Sequence, residues 1–229
     1  MSNSQIYILI TSIYVFALVP DIIKLVKVIK SPKLDINASK LIMKANIVTL
    51  ILAIAMLTVL VALEVNIFNY SAPVKYSSIN DITLKDFNGF KLPNQTLQGS
   101  NKFAFIETSI SVKENKDSYT IVSLFHPSRS YVYFDDLENE NLLRHELYHF
   151  HITEYIARKL RQSLSEPTNK PNEVNNQIEI HQKLESIMQR DYDYETDHGY
   201  LLGKQLQWQK NIDSLLQVNR KYRFTTVSY

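Results

Sequence analysis

Cysteine is missing from this chain of 229 residues. That excludes disulfide staples, thiolate metal ligands and cysteine nucleophiles. Glycine is scarce, at four residues, so no glycine-rich loop is there to cradle a phosphate or open a dinucleotide fold. A basic surplus is also missing where nucleic acid would need one. Residues 1–75 hold seven lysines against three acids, whereas 76–229 hold 18 basic and 20 acidic side chains. The near-neutral larger part lacks the basic footprint of a nucleic-acid binder, so no nucleic-acid partner is expected. No internal repeat and no low-complexity tract occurs.

What the chain has instead is an uneven distribution of apolar residues. Ala45 to Leu63 reads ANIVTLILAIAMLTVLVAL, without a charge. As a helix rising 1.5 Å per residue it approaches the ~30 Å of a bilayer's hydrocarbon layer. Ile6 to Val19 is a second apolar run, interrupted at Pro20 and Asp21. Six lysines lie between the runs, against Asp21 and Asp35. The expectation is a membrane anchor over 1–68, with transmembrane helices at about 5–27 and 45–68 and a basic cytoplasmic loop between them. It makes the lipid bilayer a partner, the location a two-span cell membrane, and the C-terminal domain extracytoplasmic.

Residues 69–80 read as a polar linker, and 81–229 as one domain. Lys102 to Val112 and Ser118 to Phe125 are rich in alternating β-formers around the turn residues KENKD, which predicts a hairpin. SYVYF at 130–134 predicts a third strand. From Asp136, read as an N-cap, the period becomes helical: Leu142, His145, His149, Ile152 and Ile156 share a face. Further helices are predicted from about Val174 to Thr196 and from about Tyr200 to Val218. Strands followed by helices make the domain α+β.

The first of these helices contains His145-Glu146-Leu147-Tyr148-His149, the pattern HExxH. Positions i and i+4 project about 40° apart, so both imidazoles reach one Zn²⁺. Glu146, offset by one residue, stands beside the ion, where it can take a proton from zinc-bound water. A catalytic zinc needs one more protein donor. Glu154 and His151 lie about 180° and 200° round the helix from the two histidines, so both are read as groups on the surface or behind the ligands. YDYETDHG at 192–199 joins two helices and can fold back, offering Asp193, Glu195 and His198 as donors. Its tyrosines Tyr192 and Tyr194, with Tyr200, are candidates to stabilise an oxyanion.

Three segments carry a resemblance. ITLKDFNGF at 82–90, HELYHFHITEYIARKLR at 145–161 and YDYETDHG at 192–199, followed by Gln207 and Trp208, resemble the motifs of a bacterial family of predicted secreted zinc-dependent proteases. That family is known as a domain of unknown function, with HExxHF and YDxxTxHG motifs. The resemblance spans about 80–216 and implies a zincin-like metallopeptidase domain. By position it implies His145, His149 and His198 as zinc ligands, with Asp193 or Glu195 as the alternative third, and Glu146 as catalytic base. The expected function is a membrane-anchored zinc metallopeptidase acting on a peptide or protein substrate outside the cytoplasm. The alternative is a non-catalytic scaffold on the same fold.

Overall fold

A computed structural model describes residues 23, 26–27, 36–64, 66, 69–89, 104–133, 137–165 and 174–228. The chain divides into two compact units, Met1–Ile67 and Phe68–Tyr229.

The described part of the first unit is essentially one helix, α1 (Ile36–Glu64). It corrects the expected membrane hairpin: among the described residues, no helix is long and apolar enough to cross a membrane. α1 begins inside the stretch expected as a basic loop and carries Lys40 and Lys44. The two-span membrane location, and the extracytoplasmic side deduced from it, therefore lose their basis. The expected first span, about 5–27, lies outside the described residues except at Ile23, Val26 and Lys27.

The second unit is α+β. Its strands are β1 (Val74–Lys75), β2 (Ala104–Phe105), β3 (Thr108–Asn115), β4 (Ser118–Phe125), β5 (Tyr131–Val132) and β6 (Thr226–Ser228). Its helices are α2 (Glu140–Leu164), α3 (Val174–Thr196) and α4 (Leu202–Val218). β3 and β4 form the predicted hairpin, in register from Thr108↔Phe125 to Asn115↔Ser118. The predicted strand 102–112 is broken at Ile106–Glu107, and its first part, β2, pairs instead with β5. β4 is central. One edge carries β3, and the other carries β1 and β6, all antiparallel.

β4 buries every second residue: Tyr119, Ile121, Ser123 and Phe125. That period of two lays one face against α2, which buries Phe150, Ile152, Ile156, Ala157, Leu160 and Leu164. α2 is capped by Asn139, whose side chain accepts a hydrogen bond from the Leu142 amide at 3.0 Å. Asp136, the expected cap, lies outside the described residues. The expected linker is instead built into the domain. Its residues supply β1 and the 3-10 turn Tyr76–Asp81, and Ile79 is buried with Leu84, Phe87, Phe125 and Phe150. Gly89 is required where it stands. A side chain there would meet the Ser130 carbonyl oxygen at 2.6 Å.

α3 and α4 pack on the remaining side of α2. Ile152 and Ile156 meet Tyr192, Ile212 and Leu216 in a third apolar cluster.

Candidate metal centre

Helical spacing brings His145 and His149 to the face of α2 that α3 covers, and Asp193 reaches them from the last turn of α3. The Asp193 Oδ1 atom stands 3.2 Å from His145 Nε2 and 3.0 Å from His149 Nε2. These three residues form a group that can hold a metal ion. The spacing supports that reading. Donor atoms at about 2.0–2.1 Å around a tetrahedral ion lie about 3.3 Å apart, close to the two distances between Asp193 Oδ1 and the histidines.

His198 approaches the same carboxylate oxygen, with its Nδ1 3.2 Å from Asp193 Oδ1. It is delivered by a tight turn in which Asp197, His198 and Gly199 have φ of 49°, 52° and 90°. The His198 amide donates to the Asp193 carbonyl at 2.9 Å, so the turn folds back on its own helix. Gly199 lies flat against His145. A Cβ there would come within 3.1 Å of the imidazole Cγ.

Glu146 is only 4 % exposed, yet it lines a cavity of about 310 Å³ with His145, His149, Asp193 and His198. The opposite wall is the chain from Ala104 to Thr108. Candidate base and candidate ligands thus line one cavity.

The electrostatics of the group are those of a charged cluster. Burial favours the neutral form of Asp193, but the three imidazoles facing it outweigh burial and hold its carboxyl far below the usual range. Burial pushes the other way on His149, where Asp193 wins again and raises the imidazole's pKa. All three imidazoles stand within hydrogen-bond distance of the Asp193 carboxylate, and metal binding at such a group releases the protons it shares.

The other predicted site residues are placed differently. Glu195 accepts from the Trp208 indole at 2.9 Å and does not line the cavity. Tyr192 is fully buried and stacks on the His145 ring, centroids 4.8 Å apart. Tyr194 is 85 % exposed and Tyr200 49 %. None of the three lines the cavity, so no tyrosine hydroxyl of this trio faces the space where an oxyanion would form. Two histidines outside the motifs stand apart from the centre: His126 bonds Ser109 and His181 bonds the Gln177 carbonyl, both at 2.7 Å and both outside the cavity.

Glu154 points away from the ion, as its angle on the helix requires, but it is buried rather than on the surface. Its carboxylate accepts from Ser123, from Arg158 at 2.8 Å and from Arg161 at 3.0 Å. Arg161 is itself buried and also donates to the carbonyls of Ile121 and Tyr222. The Glu154, Arg158 and Arg161 of the α2 motif therefore tie helix, sheet and tail together and take no part in the centre.

Residues that the motif search passed over complete the cavity. Gln182, Glu185, Gln189 and Asp193 recur at spacings of three and four along α3, and all line it. Stepping back from Asp193 by helical turns would have found them. Glu185 has its pKa raised by burial.

No family model matches the chain, and no curated protein and no solved structure matches it significantly.

Proposed function

We propose that the second unit is a zinc-dependent hydrolase that cleaves peptide bonds. The observation that carries this reading is the position of Glu146: it adjoins two candidate ligands in sequence and shares their cavity. The motif resemblance described above points the same way. The donor set of two imidazoles and a carboxylate suits Zn²⁺ and leaves room for one exchangeable position.

When bound, zinc supplies Lewis-acid chemistry, bringing the pKa of water towards 7 and polarising a carbonyl. His145, His149 and Asp193 would hold the ion. Glu146 takes the proton from the attacking water as its oxygen bonds the carbonyl carbon. It then delivers that proton to the departing amine as the C–N bond breaks. The wall from Ala104 to Thr108 confines the substrate against the centre. His198, one side of which faces Asp193, borders the same space and can donate to developing negative charge.

The test is Glu146→Gln, compared with the wild type on an unbiased peptide library at equal zinc content. Activity should fall about 10²–10⁴-fold, the usual contribution of a general base, with zinc unchanged. Equal cleavage by both proteins overturns the assignment of Glu146. A second reading, a scaffold with a structural ion, has its own support. His198 adds a fourth donor near Asp193, and four protein ligands close a zinc site to substrate. Zinc-loaded wild type that cleaves nothing between pH 5 and 9 favours that reading.

A further inference from the structure

Behind His149, on the side away from the cavity's ligand cluster, stands a hydrogen-bond chain whose direction can be worked out atom by atom. The Gln189 side chain lies 2.9 Å from the His149 carbonyl oxygen. A carbonyl only accepts, so the Gln189 atom there is its nitrogen. The same nitrogen donates to Thr153 Oγ1 at 3.1 Å, which uses both of its protons. Thr153 spends its single hydroxyl proton on Glu185, 2.6 Å away. Thr153 Oγ1 also lies 3.3 Å from the His149 carbonyl oxygen and 2.7 Å from Thr108 Oγ1; with its proton on the closer Glu185 carboxylate, it accepts from Thr108. Both amide protons of Gln189 are committed.

The consequence falls on the imidazole. With its nitrogen spent, Gln189 can present only its carbonyl oxygen, and that oxygen meets His149 Nδ1. His149 Nδ1 must carry a proton and donate it. Its Nε2, 3.0 Å from Asp193 Oδ1, is then the nitrogen whose lone pair an ion takes.

We infer that Gln189, held by Thr153 and Glu185, is a positioning residue: it fixes the tautomer and ring orientation of His149 so that Nε2 faces the metal. This rests on His149 being a ligand. Partners behind a metal-bound histidine are worth about 10–100-fold in metal affinity. They are usually carboxylates, backbone carbonyls or water. Here the neutral amide does the same work, and its two donated hydrogen bonds prevent it from flipping.

Zn²⁺ titration of the full chain tests this with two variants. Gln189→Met keeps the bulk and removes the acceptor. Gln189→Glu keeps an acceptor for Nδ1–H but loses both donors. If Gln189 sets the tautomer, Gln189→Met weakens Zn²⁺ binding about 10–100-fold, and Gln189→Glu stays within a few-fold of wild type. If Gln189 is only a brace between α2 and α3, both variants lose the brace and weaken alike, which overturns the proposal. Unchanged affinity in both overturns it too. The second measurement does not depend on a variant folding. In long-range ¹H–¹⁵N spectra of the Cd²⁺-loaded wild type, coordination through Nε2 with a proton on Nδ1 is expected, and coordination through Nδ1 overturns the assignment. A failure of the centre itself looks different. There, wild type takes up no ion, or His149→Ala binds as tightly as wild type.

Discussion

His151 is two residues beyond a candidate metal donor, yet its chemistry is set by what covers it. Its Nδ1 meets the Tyr76 hydroxyl, and Tyr148 lies over it with centroids 4.6 Å apart. Burial favours the neutral ring and, with Arg158 and against Asp213 and Glu154, lowers its pKa to about 4. The neutral ring accepts the Tyr76 proton. An imidazole at its ordinary pKa of about 6.5 in the unfolded chain takes up a proton before the folded one does. The stability from keeping His151 neutral is therefore complete above pH 6.5 and is lost as pH falls towards 4, by an amount on the order of a few kcal/mol. Urea unfolding of wild type and His151→Gln at pH 7 and pH 4.5 checks this. The variant still offers an acceptor to Tyr76 but cannot titrate, so its stability should change less between the two pH values. An identical pH response in both would remove His151 as the cause.

Among the elements, the turn from α3 to α4 bears most directly on the centre. It holds three successive residues at positive φ, a conformation that L side chains adopt at a cost of about 1–3 kcal/mol each. Gly199 escapes the cost and also leaves room for the His145 ring. Gly199→Ala should strain the backbone and push His145 off its line to Asp193, so that Zn²⁺ binding weakens as well as stability. Thermal melting and metal titration check both, and a variant that loses stability but binds zinc as before would separate the turn from the centre. Much at this scale was legible. The helical period gives α3 from Val174 to Thr196, and HExxH places two donors on one face of α2. Asp193 and His198 were visible as a charged cluster, but that Asp193 stands among all three imidazoles became visible only in the fold. Gln189 was not legible, because a glutamine in mid-helix looks like any solvated side chain until a neighbour is known. The stretch 69–80 misled for the opposite reason. Its scattered apolar residues, Val74, Tyr76 and Ile79, follow no period, yet they pack into the core as an edge strand and a turn.

For the molecule as a whole, the reading of the long apolar run as a span depended on run length and on lysines beside it. α1 instead continues through Lys40 and Lys44, so charge beside an apolar stretch did not mark the end of its helix. In the second unit, two of the places where distant parts of the chain meet on α2 differ in kind. At one, Glu154 and Arg161 join it to β4 and to the Tyr222 carbonyl ahead of β6. At the other, His145 and His149 face Asp193 of α3. The first contact is built from groups always present. The second, without an ion, sets imidazoles around a carboxylate in place of a coordinate bond. An ion bound there staples α2 to α3 in the folded state alone, so it stabilises by RT ln(1 + [L]/Kd), about 2.7 kcal/mol at one hundred times Kd. Removing the ion with a chelator should therefore lower the melting temperature, and Zn²⁺ in excess of chelator should restore it. The shift should disappear in His149→Ala, which loses a ligand, and persist in Glu146→Gln, which does not. A chelator effect of the same size in His149→Ala would place the stabilising ion somewhere other than between these two helices.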